Sequence, residues 1–242
     1  MKETELPVLR ADPAFAVIAK PAGLMAHASA MARGEDDFLV DRLRAQFNRD
    51  VVLVHRLDRA TSGCVLVAFD RAAAAALGAQ FMERRVDKTY LAVCRGWPDE
   101  AGVIDHPLDG GPGKPLKKPA ITAYRRLATV ELAQPCEHFP TSRYALLECT
   151  PETGRWRQIR RHLKHIFHHL IGDTSHGDGR HNRAFRMRGV HRMLLHARTL
   201  EFAHPHTGER IETTAPLDAE FERALGLCGW ELPAAVRAPA LP

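Results

Sequence analysis

The chain has 242 residues, 45% hydrophobic and 26% charged, with a formal net charge of +5; this is ample apolar material for a folded core. No run approaches the roughly 18 apolar residues of a membrane span, and the N-terminal segment lacks the apolar core of a signal peptide. The five cysteines are scattered without a C-x-x-C pair, so a cytoplasmic protein with reduced thiols is expected.

In chain order, Phe15–Ala19 reads as a short buried strand, stopped by Lys20-Pro21-Ala22-Gly23. Phe38, Leu39, Leu43 and Phe47 recur at near-helical spacing and predict an amphipathic helix between Asp36 and Asn48. Val51–Val54 and Cys64–Phe69 are apolar, strand-like runs separated by a polar nonapeptide, residues 55–63. Ala72–Arg85 is alanine-rich, with Leu77, Phe81 and Met82 as anchors, and predicts a helix. Lys88–Val93 and Tyr144–Cys149 look like further strands, and Asp105–Pro119, rich in Gly, Pro and Lys, like a long exposed loop. Arg157–Phe167 has helical character, with Ile159, Leu163 and Ile166 or Phe167 on one side. A polar stretch over 172–192 precedes a hairpin of Leu194–Phe202 with Arg210–Thr214 and a short helix over Asp218–Leu225. These elements predict one α/β domain over residues 10–230, with a disordered tail from 231 to 242.

Charge is unevenly spread. Residues 155–192 hold ten Arg or Lys and seven His against two acids, Asp173 and Asp178, a distribution expected of a polyanion binder. The loop His55-Arg56-Leu57-Asp58-Arg59-Ala60-Thr61-Ser62-Gly63 places one carboxylate between two arginines at the end of two buried strands, where scaffolds present catalytic groups. By its residues alone it reads more simply as a structural turn, with Asp58 paired to Arg56 or Arg59.

The His55-Arg56-Leu57-Asp58 run followed by Thr61-Ser62-Gly63 resembles the signature loop of the RluA-type pseudouridine synthases. The same order of motifs continues through Lys20–His27, Lys88-Thr89-Tyr90-Leu91-Ala92 and Thr153–Leu163, so the resemblance spans about residues 15–215. It implies an α/β (α+β) catalytic domain with a mixed, largely antiparallel central sheet; no S4 module of the kind found in several relatives is expected to precede it. It further implies that Asp58 is the catalytic aspartate, that Arg160 pairs with it, that Tyr90 lies against the target base and that Ile159 is the apolar contact below it. Arg157 stands where most members carry histidine. Residues 172–183 are similar to the TruC branch, whose members modify uridine 65 in the T-stem of tRNA.

This resemblance implies isomerisation of a uridine in RNA, most simply tRNA, by a monomer needing no cofactor and no metal. Arg56 is a candidate for holding the flipped strand, and Arg155, Arg157, Arg161, Arg180 and Arg183 for contacting RNA. Thr61 and Ser62 are expected to bond the loop backbone, and Gly63 to serve a tight turn or close packing. Ribosomal RNA is the alternative substrate. From other classes, a metal-dependent hydrolase built on His162, His165, His168, His169, Asp173, His176, Asp178 and His181, or a non-catalytic RNA-binding protein, remain open.

Overall fold

Unbroken apolar runs, as opposed to alternating ones, mark strands covered on both faces. Phe15–Lys20 and Ser62–Ala68 are such strands, buried along almost their whole length. The computed structural model describes residues 5–27, 36–136 and 139–233. Its elements are β1 (Val8–Ala11), β2 (Phe15–Lys20), α1 (Leu39–Phe47), β3 (Val52–Leu53), β4 (Ser62–Ala68), α2 (Arg71–Met82), β5 (Asp87–Arg95), β6 (Ala101–Asp105), β7 (Ile121–Leu132), β8 (Ser142–Pro151), α3 (Gln158–His165), α4 (Gly179–Arg186), β9 (Leu195–Ala203), β10 (Arg210–Thr214) and α5 (Ala219–Leu227). The fold is therefore α/β, and its ladders are largely antiparallel.

The chain divides into two compact units, Met1–Lys88 with Ala197–Pro216, and Thr89–His196 with Leu217–Pro242. In the first, β2 pairs antiparallel with both β1 and β4, β3 pairs with β4, and β10 pairs with β9. Phe15, Val17, Leu66, Leu77, Phe202 and Ile211 share its core, and the rings of Phe15 and Phe202 meet edge to face at 5.3 Å. Helix α2 begins where the Asp70 carboxylate accepts from the Ala73 N–H, a cap worth about 1 kcal/mol. Helix α1 ends at Asn48, which adopts the left-handed conformation that stops a helix.

The second unit carries the antiparallel order β5–β8–β7–β6. Leu91, Val93, Tyr144, Leu146, Phe185 and Phe221 are central to its core. Asp218 caps α5 by accepting from the Phe221 N–H.

Several boundaries differ from the expectations. Helix α3 stops at His165, and Phe167 has φ 62° and is 77% exposed, so Ile159 and Leu163 are the buried apolar residues of that helix. The Val51–Val54 run contributes only two residues of ladder, with Val51 buried and Val52 exposed. The polar stretch contains a helix, α4, and β7 is a long strand that the apolar pattern did not mark. The 234–242 part of the expected tail lies outside the described residues.

Candidate active site

Residues 55–61 are fixed from both ends and from beneath. His55 Nε2 accepts the Leu66 N–H at 3.0 Å, and its ring stacks on Phe81 at 4.7 Å. Burial, reinforced by the Lys88 ammonium, pushes His55 down to about 3, so the imidazole is a neutral acceptor throughout the physiological range. Leu57 points into the core. Further along, the Asp58 carbonyl accepts from Thr61 N–H at 3.0 Å, and the Arg59 carbonyl accepts from Gly23 N–H at 2.8 Å and from the buried Lys20 Nζ at 3.1 Å. The Arg59 Nε returns a bond to the Gly23 carbonyl at 2.9 Å.

Gly63 closes the loop with φ +111°; a Cβ there would lie 2.1 Å from the Ala197 carbonyl oxygen, so glycine is required both for conformation and for room. The result is a pinned backbone carrying Asp58, half-buried, and Arg56, exposed. Arg56 has no ion-pair partner among the described residues, so it is not the arginine that neutralises Asp58.

The second unit holds the other expected residues. Gln158, buried at the start of α3, accepts from the Arg155 N–H at 2.9 Å and the Thr153 hydroxyl at 2.7 Å, and donates to the Ile121 carbonyl at 2.9 Å. It locks residues 153–158 onto β7, a role the sequence reading missed. Arg157 takes the left-handed conformation at the N-cap, with its guanidinium 4.4 Å from the Trp156 ring centre.

Arg160 turns inward and is 5% exposed; Nε and Nη2 donate to the two Asp173 carboxylate oxygens at 2.6 and 2.8 Å. Burial alone would raise the Asp173 carboxyl, but the guanidinium and the backbone N–H groups of His176 and Ser175 outweigh it and hold the group below the usual range. Ile159 is buried, and Tyr90 is half-buried in β5 opposite Cys149.

The remaining arginines divide. Arg155 donates to the Pro119 carbonyl and Arg161 to the carboxylate and carbonyl of Asp109, so both hold the 106–119 loop. Arg180 pairs with Asp178 at 2.9 Å, an acid it shares with Arg95. Arg183 is exposed with no ion partner among the described residues.

Three of the histidines serve separate partners. His162 Nε2 donates to the His106 carbonyl while Nδ1 meets the Thr122 hydroxyl; His168 Nδ1 donates to the Arg95 carbonyl; His181 meets the Tyr144 hydroxyl and the Cys136 thiol. Among the described residues, no group of three or more His, Cys, Asp or Glu is placed to hold a metal, which removes the observation on which the hydrolase reading rested.

Residues 14–165 match the family model for RNA pseudouridylate synthase. The chain is 39% identical over 241 residues to the tRNA pseudouridine synthase C of Vibrio parahaemolyticus, covering 96% of this chain and 98% of that one. It is 41% identical over 235 residues to the protein of the same name from Salmonella typhimurium, covering 93% and 90%. Among solved structures it resembles human RNA pseudouridylate synthase domain containing 1, at 28% identity and a TM-score of 0.69 over 90% of this chain and 86% of the other. The corresponding human domain containing 4 protein gives 25% identity and a TM-score of 0.71 over 93% and 94%.

Proposed function

Because this chain belongs to the RNA pseudouridylate synthase family, we propose that it isomerises a uridine of tRNA to pseudouridine, with uridine 65 of the T-stem as its target and Asp58 as its catalytic residue. The near full-length match to relatives named tRNA pseudouridine synthase C carries the tRNA assignment. We propose further that residues 10–230 act as one catalytic domain, in a cytoplasmic monomer.

In the reaction the N1–C1′ bond breaks, the uracil turns, C5 joins C1′, and the hydrogen on C5 leaves as N1 takes one up. Atoms and electrons balance within the nucleotide, so the chain's own side chains suffice. One ionised carboxylate at the sugar can stabilise cationic character at C1′, attack it or take a proton from the sugar. Glycosidases place carboxylates at the same centre but in pairs, one of them serving water; a single acid suits a rearrangement that must exclude water.

A base inside an RNA fold reaches such an acid only when flipped out, at a cost of a few kcal/mol. Tyr90 is assigned to stack on it, Ile159 to support it from below, and the exposed Arg56 to hold the displaced strand. The resemblance assigns the Arg160 guanidinium to Asp58, where it would orient the carboxylate and favour its charged form. Arg157, Arg180 and Arg183 are assigned to phosphates, and Arg155 and Arg161 to presenting the loop they hold.

The test follows the hydrogen lost from C5: a tRNA transcript labelled with tritium at uridine C5 releases label on each turnover. Asp58→Asn keeps shape and removes charge, and should lower the release rate by at least about 10²–10⁴-fold while tRNA binding persists. Release at the wild-type rate would sink the assignment. Mapping pseudouridine in tRNA and ribosomal RNA from a strain lacking the protein decides the substrate; loss at a ribosomal position alone would replace the tRNA reading.

A further inference from the structure

We propose that Asp173 is a positioning residue for the reaction, acting through Arg160; the inference rests on Arg160 having the catalytic part assigned above. The Arg160–Asp173 pair is almost wholly removed from water, with side chains 6% and 0% exposed, and it is a two-bond fork rather than a point contact. Such pairs contribute little to stability on balance, because the cost of desolvating two ions offsets their attraction. Orientation is what a fork supplies: a planar guanidinium held through Nε and Nη2 cannot rotate about its last bonds, and the direction of its third nitrogen is fixed with it.

Asp173 is itself held more tightly than a simple counter-ion requires. Its Oδ1 also accepts from the Ser175 and His176 N–H groups at 2.8 and 2.9 Å, and its carbonyl accepts from Gly177 N–H and Asn182 Nδ2. The Asn182 Oδ1 accepts from the Gly172 N–H on the preceding residue. Gly172 has φ +80°, and a Cβ on it would lie 2.0 Å from the Arg192 carbonyl oxygen, while one on Gly177 would lie 2.1 Å from the Asp173 carbonyl oxygen. The turn 172–177 is thus a rigid bracket whose one buried charge grips Arg160. In this reading the residues on both sides of Asp173 exist to hold its carboxylate still, and the carboxylate exists to hold Arg160.

A displacement of about 1 Å at a reacting centre costs on the order of 10²-fold in rate. Asp173→Asn should therefore lower the single-turnover rate of tritium release by about 10–100-fold, with tRNA affinity within about 3-fold of wild type. Arg160→Lys cannot form the fork, so adding Asp173→Asn to it should cost little more; fully additive losses would show that the two residues act separately and overturn the proposal. Tyr144→Phe, which removes a buried hydroxyl bond to His181 in the same unit, serves as the stability control. It should lower the melting temperature and keep the rate, whereas a rate loss as large as that of Asp173→Asn would mark the effect as general loosening.

If Asp173→Asn does not fold, Asp173→Glu retains the charge but lengthens the arm. It should fold and turn over more slowly, and a wild-type rate would defeat the proposal. Failure here is separable from failure of the function reading. Full activity of Asp58→Asn would remove the latter, while inactive Asp58→Asn and slow Arg160→Lys beside a fully active Asp173→Asn would remove only this inference.

Discussion

Tyr90 stands where burial changes along β5: Lys88, Thr89 and Tyr90 are half-buried, and Leu91 through Cys94 fully so. A tyrosine wanted only for packing would sit with the second group. Base–aromatic stacking is worth about 1–3 kcal/mol per base, so Tyr90→Leu should slow single-turnover isomerisation by about 5- to 100-fold, and Tyr90→Phe, which keeps the ring, should largely retain the rate. Equal rates for Tyr90→Leu and wild type would return Tyr90 to the core. At this scale the sequence was readable where chemistry demands one residue type. The glycine after Thr61-Ser62 was expected to serve a turn or close packing, and Gly63 does both. Gln158 was not readable, because a buried glutamine that satisfies four backbone and hydroxyl groups has the same letter as a solvated one, and two of its partners, Ile121 and Thr122, lie over 30 residues away. The Asp173 carboxylate was noticed only as a possible metal ligand, since nothing in residue spacing tells which cation an acid will meet.

Elements built from apolar runs were legible; elements whose buried face is polar were not. Helix α4 buries His181, Asn182 and Phe185, so its inner face carries one apolar residue and no period to detect. Only Asp178, which caps the helix by accepting from the Arg180 N–H, left a trace. Strand β7 hid for a related reason: Arg125, Arg126 and Glu131 interrupt the alternation, and the register shifts between Arg126 and Ala128. The outer face of α4 has its own consequence. Arg183 and Arg186 are exposed with no acid partner among the described residues, while Arg95, Arg143, Arg161 and Arg180 are all paired. Arginines without internal partners are the ones left to release counterions from phosphate. Replacing both by glutamine should weaken tRNA binding across sequences and reduce the slope of log affinity against log salt by about 1–2. Titrations at several salt concentrations measure it, and an unchanged slope would make α4 a solvated face.

Across the whole chain each unit carries its own core, and the path leaves the first unit inside β5 and re-enters it inside β9. No helix among the described residues is long and apolar enough to cross a membrane. Both units bury histidines as neutral groups, and this sets how the molecule responds to acid. His55 in the first unit is pushed down to about 3 by burial and then by Lys88. His162 and His181 in the second are lowered chiefly by burial. A base whose folded pKa lies below its unfolded value of 6.5 binds fewer protons folded than unfolded, so stability rises with pH across that interval. The contribution of His55 is complete above pH 6.5 and is lost progressively as the pH falls from there towards about 3. Carboxylates held low, such as Asp173, act in the same direction but only in the acid range where unfolded carboxyls take up protons. The two contributions therefore separate in pH. Between about pH 6 and pH 4.5 one such histidine accounts for a slope of up to about 1.4 kcal/mol per pH unit. Glutamine at 55 can still accept the Leu66 N–H but does not titrate. His55→Gln should flatten the stability curve in that interval by up to one proton's worth while leaving the steeper fall at lower pH in place. Urea unfolding at a series of pH values reads both, and a curve parallel to wild type throughout would mean that His55 is not held neutral in the folded protein.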